Sequence, residues 1–124
     1  MYNYNMPSVS SFSKRFTLQQ RLDESKRIMS KFNDRIPIIC EKNQLDIYCP
    51  DIDKHKYLVP RDITIGQFMF VIRKRINLAP NDALFLFINN SIFSSNITIN
   101  SIYDANKNED GFLYVTYSRE STFG

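Results

Sequence analysis

The sequence predicts an α+β domain of β-grasp type with an N-terminal helical extension, and three observations predict it. Residues 54–60 form an alternating extended stretch that runs through a turn into a well-capped amphipathic helix. Residues 35–41, 84–88 and 112–117 have the length and apolar content of further strands. A helical pattern starting near Phe16 precedes them all. The order is helix, two strands, helix, strand, short helix, strand and tail, which suits a β-grasp sheet with helices on one face and the first helix packed beside it. A chain of 124 residues fits one domain and can bury a core without covalent staples. Its expected division is an N-terminal extension over 1–33, a core over 34–118 and a tail over 119–124.

Residues 1–13 are polar, rich in Asn, Ser and Tyr, and read as a loose start. Leu18, Leu22, Ser25, Met29 and Phe32 then fall on one helical face with Ile28 beside it, while Gln20, Asp23, Lys26 and Arg27 fall outside. Core packing is the ordinary reading of such a stripe; a helix lying on a membrane is disfavoured by Asp23 and Glu24. Asn33-Asp34 ends this helix, and Ile36, Ile38 and Cys40 face one side of the strand that follows. Pro37 has no N–H to give a ladder, which marks an edge, a strand start or a bulge.

A connection over 43–53 leads to the strand at 54–60, with Lys56 and Leu58 on one side and Tyr57 and Val59 on the other. Thr64 and Gln67 have the spacing of a capping box, and Ile63 and Phe68 sit at the staple positions around it. Phe68, Val71, Ile72 and Ile76 form the expected inward stripe of this helix. Arg73-Lys74-Arg75 occupies its last turns, where positive charge suits the dipole, and Asn77 and Pro80 close it. Leu84 to Ile88 is an apolar run stopped by Asn89-Asn90-Ser91. Residues 98–106 can hold a short helix capped by Thr98, and Glu109-Asp110-Gly111 makes a turn. In the last strand Phe112, Tyr114 and Thr116 alternate with Leu113, Val115 and Tyr117.

Composition narrows the function. A net charge of +3 is weak for nucleic acid, and Arg73-Lys74-Arg75 is explained by its helix end. Cys40 and Cys49 have no zinc-like spacing, and with His55 they match no nucleophile pattern, so neither a metal, a cofactor nor an enzyme is expected. Cys40 is expected in the core and Cys49 as an ordinary loop thiol. No apolar run reaches the roughly 18 residues of a membrane span, and the expectation is a soluble, cytoplasmic protein.

Several separated blocks carry a resemblance. They are Arg35-Ile36-Pro37-Ile38-Ile39-Cys40-Glu41-Lys42, Asp53-Lys54-His55-Lys56-Tyr57-Leu58-Val59-Pro60 and Gly66-Gln67-Phe68 through Ile72-Arg73-Lys74-Arg75-Ile76. Asp82-Ala83-Leu84-Phe85-Leu86-Phe87-Ile88-Asn89-Asn90, Glu109-Asp110-Gly111-Phe112-Leu113-Tyr114 and the ending Phe123-Gly124 complete them. The chain from about Leu18 to Gly124 resembles the autophagy ubiquitin-like modifiers: autophagy-related protein eight, GABARAP and the microtubule-associated light chain three.

That resemblance implies a ubiquitin-like core whose C-terminal Gly124 is adenylated, carried as a thioester and joined to phosphatidylethanolamine. The implied partners are an E1-like activating enzyme, an E2-like conjugating enzyme, a processing and deconjugating cysteine protease, and the autophagosomal membrane through the lipid. Cargo receptors and adaptors bearing aromatic-x-x-aliphatic motifs are also implied. By match to the family, the aromatic pocket falls on Glu24, Ile28, Pro37, Ile39, Lys56, Leu58 and Phe112. The aliphatic pocket falls on Tyr57, Val59, Pro60, Ile63, Phe68 and Val71. Acids before the motif would meet Arg35, Lys54, Lys56 and Arg75. Core packing is the alternative for each apolar member taken alone.

Leu18 stands where the family usually has Phe, His55 interrupts a commonly basic run, and the loop over 43–53 is less basic than in several relatives. The resemblance places the Pro37 strand inside the sheet, which a bulge near Pro37 would reconcile with the edge reading. An adaptor in membrane trafficking that binds motifs but is never conjugated is the competing expectation.

Overall fold

The structure, a computed structural model, describes residues 11–121. Gly124 and the first ten residues lie outside the described residues. The elements are helices α1 (Ser11–Arg15) and α2 (Leu18–Lys31), strands β1 (Arg35–Lys42) and β2 (Lys56–Pro60), helix α3 (Ile65–Ile76), strand β3 (Phe85–Phe87), helix α4 (Ile99–Asn106) and strand β4 (Leu113–Ser118). The sheet runs β2-β1-β4-β3, with β1 and β4 parallel and the outer pairs antiparallel. This is the β-grasp arrangement expected from the order of elements.

The period-two alternation of the strands sorts side chains onto two faces. Ile36, Ile38 and Cys40 of β1 and Leu113, Val115 and Tyr117 of β4 join α3 and α4 in the main core. Ile39 of β1 and Phe112 face the other way and pack with Ile28 of α2 and Phe12 of α1. The N-terminal helices therefore cover the face opposite α3.

Both long helices begin with complete capping boxes. Thr17 and Gln20 exchange side-chain and backbone bonds at α2, and Thr64 and Gln67 do the same at α3. Asn77 closes α3 in the left-handed conformation at φ 54°, which a short polar side chain tolerates. Within α3, Ile65, Phe68, Ile72 and Ile76 are buried. Val71, expected in that stripe, is 44% exposed. It follows Phe68 by three residues but sits one position short of Ile72, at the margin of the inward face.

Pro37 lies in an interior strand, so the edge reading is corrected; so is the bulge, because β1 pairs with β2 without a break from Arg35↔Pro60 to Ile39↔Lys56. The reason is which way its nitrogen points. Cys40 N–H donates to His55 O at 2.8 Å, so by alternation Ile38 and Ile36 also bond towards β2. The Pro37 nitrogen faces the β4 side instead, where pairing begins only at Ile38↔Leu113. No ladder bond is lost.

Three further expectations differ. Among the described residues, helical structure begins at Ser11 with α1, whose Phe12 is buried, ahead of the start expected near Phe16; the expected loose start lies outside the described residues. The α2 face is centred on Ser25 and Ile28, whereas Leu18 and Phe32 at the ends of the expected stripe are exposed. Cys49 is buried against the main core and is no ordinary loop thiol; burial pushes its thiol up to about 11.

Candidate functional site

Strand β2 is an edge. Among the described residues it pairs with β1 alone. Since Tyr57 and Val59 sit opposite Ile38 and Ile36 in hydrogen-bonded positions, Lys56 and Leu58 turn their own N–H and C=O groups outward. One outward acceptor already has a partner: Arg35 Nη1 donates to Leu58 O at 3.1 Å.

The side chains of this edge divide between the two faces. Lys56 and Leu58 are half-buried on the α2 side, with Leu58 packed against the Phe12, Ile28, Ile39 and Phe112 cluster. Tyr57 and Val59 are buried on the α3 side, and the Tyr57 ring meets Phe68 edge-on at 5.6 Å between centroids. Tyr57 Oη is buried without a hydrogen-bond partner, and desolvation raises this phenol to about 12.

On the α2 side, the residues of the expected aromatic pocket are brought together, but unequally. Ile28, Ile39 and Phe112 are at most 3% exposed and Pro37 is buried, leaving Glu24, Lys56 and Leu58 accessible. Phe12 closes over the inner members. Its ring meets Phe112 at 5.3 Å, and Lys56 Nζ stands 5.8 Å from its centroid. A concavity remains between α1, α2 and β2, lined by Phe12, Phe16, Gln20, Arg21, Glu24 and Lys56. The sequence reading missed Phe12 because a single buried residue in a polar segment leaves no periodic signal.

The aliphatic set shows the same division. Tyr57, Val59 and Phe68 belong to the core, whereas Ile63 is half-buried and Pro60 and Val71 are exposed at the rim. Of the four basic residues, Lys56 holds Glu24 at 2.6 Å and Arg75 holds Asp53 at 2.9 Å. Lys54 Nζ stands 5.1 Å from the Tyr57 ring centre. The bond from Lys56 holds the Glu24 carboxyl below its usual range, against the opposing effect of burial.

A buried carboxylate fixes α2 beneath this site. Asp110 is fully buried; it accepts from Arg21 Nη1 at 2.6 Å, Tyr114 Oη at 2.6 Å and Phe112 N–H at 2.8 Å. Ser25 Oγ donates to the Asp110 carbonyl. Gly111 lets the two elements approach: its φ is +91°, and a Cβ there would lie 2.6 Å from Ser25 Oγ. Helix α2 is thus docked despite Leu18, through Arg21 and Ser25. Within a three-residue turn, Asp110 gave no sign of burial in the sequence.

Among the described residues no group of His, Cys, Asp and Glu is placed to hold a metal ion, and no helix is long and apolar enough to cross a membrane. The arrangement is suited to binding an extended chain.

Comparison with known proteins gives consistent matches. A family model described as autophagy protein Atg8, ubiquitin-like, matches residues 20–124. The chain is similar to autophagy-related protein 8B of Oryza sativa subsp. indica, 53% identical over 116 residues that cover 93% of this chain and 96% of the relative. Autophagy-related protein 8 of Vanderwaltozyma polyspora is 52% identical over 116 residues, covering 93% and 97%. Among solved structures, the crystal structure of Trypanosoma brucei ATG8 aligns with a TM-score of 0.86 at 39% identity, covering 94% of this chain and all of that one.

Proposed function

The chain belongs to the Atg8 family of ubiquitin-like autophagy proteins, and we propose that it is joined through Gly124 to phosphatidylethanolamine and captures aromatic-x-x-aliphatic motifs along β2. Membership brings a ubiquitin-like role in autophagy and, in general terms, conjugation machinery and adaptors as partners. The finer reading concerns which residues act.

The observation that carries motif capture is the open edge of β2, with a concave region on its α2 side and the partly exposed Ile63 and Val71 on its α3 side. In an extended peptide, residues three apart point to opposite faces. An aromatic residue and an aliphatic residue at that spacing therefore reach opposite sides of the strand they pair with. Backbone bonds to the outward groups of Lys56 and Leu58 supply affinity, and side-chain pockets supply choice. The ring enters beside Lys56 and Leu58, and the aliphatic residue beside Ile63 and Val71. Acids ahead of the motif exchange with Glu24 for Lys56 and with Asp53 for Arg75.

In the conjugation reading the chain is a substrate, and the catalytic cysteines reside in the activating enzyme, the conjugating enzyme and the cysteine protease. A terminal Gly has no Cβ to obstruct a narrow cleft. The acquired lipid carries two acyl chains, which anchor firmly where one chain holds only marginally. The protein then divides between cytoplasm and autophagosomal membrane.

Incubation with the family's activating and conjugating enzymes, ATP and phosphatidylethanolamine vesicles is expected to give a faster-migrating lipidated form, and Gly124→Ala to abolish it. Equal lipidation of Gly124→Ala would overturn this reading. Titration with a motif peptide tests the groove: Lys56→Glu is expected to weaken binding by more than ~1 kcal/mol. Peptide binding without lipidation would establish the unconjugated adaptor instead.

A further inference from the structure

The loop between β1 and β2 has a feature that motif capture does not use. Every third residue is buried: Asn43, Asp46 and Cys49 turn inward, while Leu45, Ile47 and Tyr48 turn outward and are 52%, 72% and 78% exposed. The inward residues fix the loop in place. Asn43 Oδ1 accepts from Leu45 N–H at 3.0 Å, and Asp46 N–H donates to Asn43 O at 3.0 Å.

Asp46 also ties the loop to the root of the C-terminal tail. Its carboxylate, 3% exposed, accepts from Arg119 N–H at 2.8 Å, Arg119 Nη2 at 3.0 Å and Ser118 Oγ at 3.3 Å. Arg119 lies over the Tyr48 ring, 5.7 Å from its centroid. Three large apolar side chains and a cation are therefore held at the point where the tail leaves the fold.

We propose that the Leu45, Ile47 and Tyr48 tip is a membrane-contact surface that enters the bilayer interface once the chain is anchored through Gly124. This rests on the conjugation reading. The five residues from Glu120 to Gly124 span at most about 18 Å when fully extended. An anchored chain cannot keep the tail root far from the bilayer, and the loop clamped to that root shares its position. The composition suits an interface: two aliphatic side chains reach below the headgroups, and a Tyr ring sits at their level. Nearby acids are largely compensated, Asp46 by Arg119 and Asp51 by Lys42 at 3.2 Å; Glu120 is the exposed carboxylate on the tail side.

The chain contains no Trp, so Tyr48→Trp introduces a single indole at the tip, which can be excited apart from the tyrosines. A Gly124→Cys change in the same protein couples to a maleimide-bearing phosphatidylethanolamine, while Cys40 and Cys49 are buried. On phosphatidylcholine vesicles with brominated acyl chains, the anchored Tyr48→Trp protein is expected to emit further to the blue and to be quenched. Adding Leu45→Ser and Ile47→Ser is expected to remove both effects. A Phe70→Trp control on α3, where Phe70 is 61% exposed, is expected to show neither.

Unchanged Tyr48→Trp emission on anchoring would overturn the proposal, as would equal quenching at both positions. A blue shift without vesicles that grows with protein concentration would assign the tip to a second copy and overturn it too. Because the anchor is attached chemically, failure of enzymatic lipidation at Gly124 is scored separately and leaves this result intact.

Discussion

Asp110 shows how much one side chain can fix. Its carboxylate is fully buried and joins Arg21 of α2 to Tyr114 of β4 and to the Phe112 backbone. Removing one partner of a buried ion pair leaves the other charge without compensation, and this costs more than the pair contributes when whole. Asp110→Ala is expected to lower unfolding free energy by about 3–5 kcal/mol, measured by guanidinium titration. Gly111→Ala meets both a positive φ and Ser25 Oγ, and is expected to cost more than ~1 kcal/mol by the same measurement. Neither residue was legible as an anchor. Sequence patterning reports burial through repetition, and a lone acid beside a glycine in a turn repeats nothing.

At the scale of elements, legibility followed periodicity. Helix α3 and strands β1, β2 and β4 were readable because several residues at a fixed spacing share one fate, and the Thr64–Gln67 box marked a start that the backbone follows. Where the signal was a single residue, the reading failed. Helix α1 turns on Phe12 alone, and Pro37 depends on which neighbour its nitrogen faces, a property of sheet order rather than local sequence. The candidate groove shares this limit. Its member residues came from resemblance; the covering of Ile28, Ile39 and Phe112 by Phe12 belongs to the fold. Phe12→Ala empties the centre of that cluster. It is expected to cost about 3 kcal/mol, near the lower bound for Phe→Ala because a helix as short as α1 can settle into the space. Thermal and denaturant melts compared with Phe12→Leu would check it, the Leu variant recovering part of the loss.

For the whole molecule, acid sensitivity follows from two carboxylates that tie distant segments together. Glu24 is lowered chiefly by its bond from Lys56, with burial opposing. Burial acts to raise Asp46, and the bonds from Arg119 and Ser118 outweigh it, leaving Asp46 lowered as well. A carboxyl whose folded pKa is depressed contributes its full stabilisation above its unfolded value and loses it as pH falls through the folded one. Stability is therefore expected to be retained at neutral pH and to fall below about pH 4. Glu24→Gln and Asp46→Asn should each lower stability at pH 7 while flattening its decline between neutral and acidic pH, as read from melts at each pH.

The parallel pairing of β1 with β4 has a consequence in time. The central ladder joins Ile38 to Leu113 and Cys40 to Val115, so the middle of the sheet is built from the first and last strands of the chain. Contacts so far apart in sequence require a large loop to close before they yield any stabilisation, which slows folding. The β1–β2 hairpin and α3 can assemble early, but their apolar faces stay uncovered until β4 arrives. A growing chain is therefore exposed to wrong partners from the emergence of β1 until β4 follows it, and commitment to the native sheet waits on that strand.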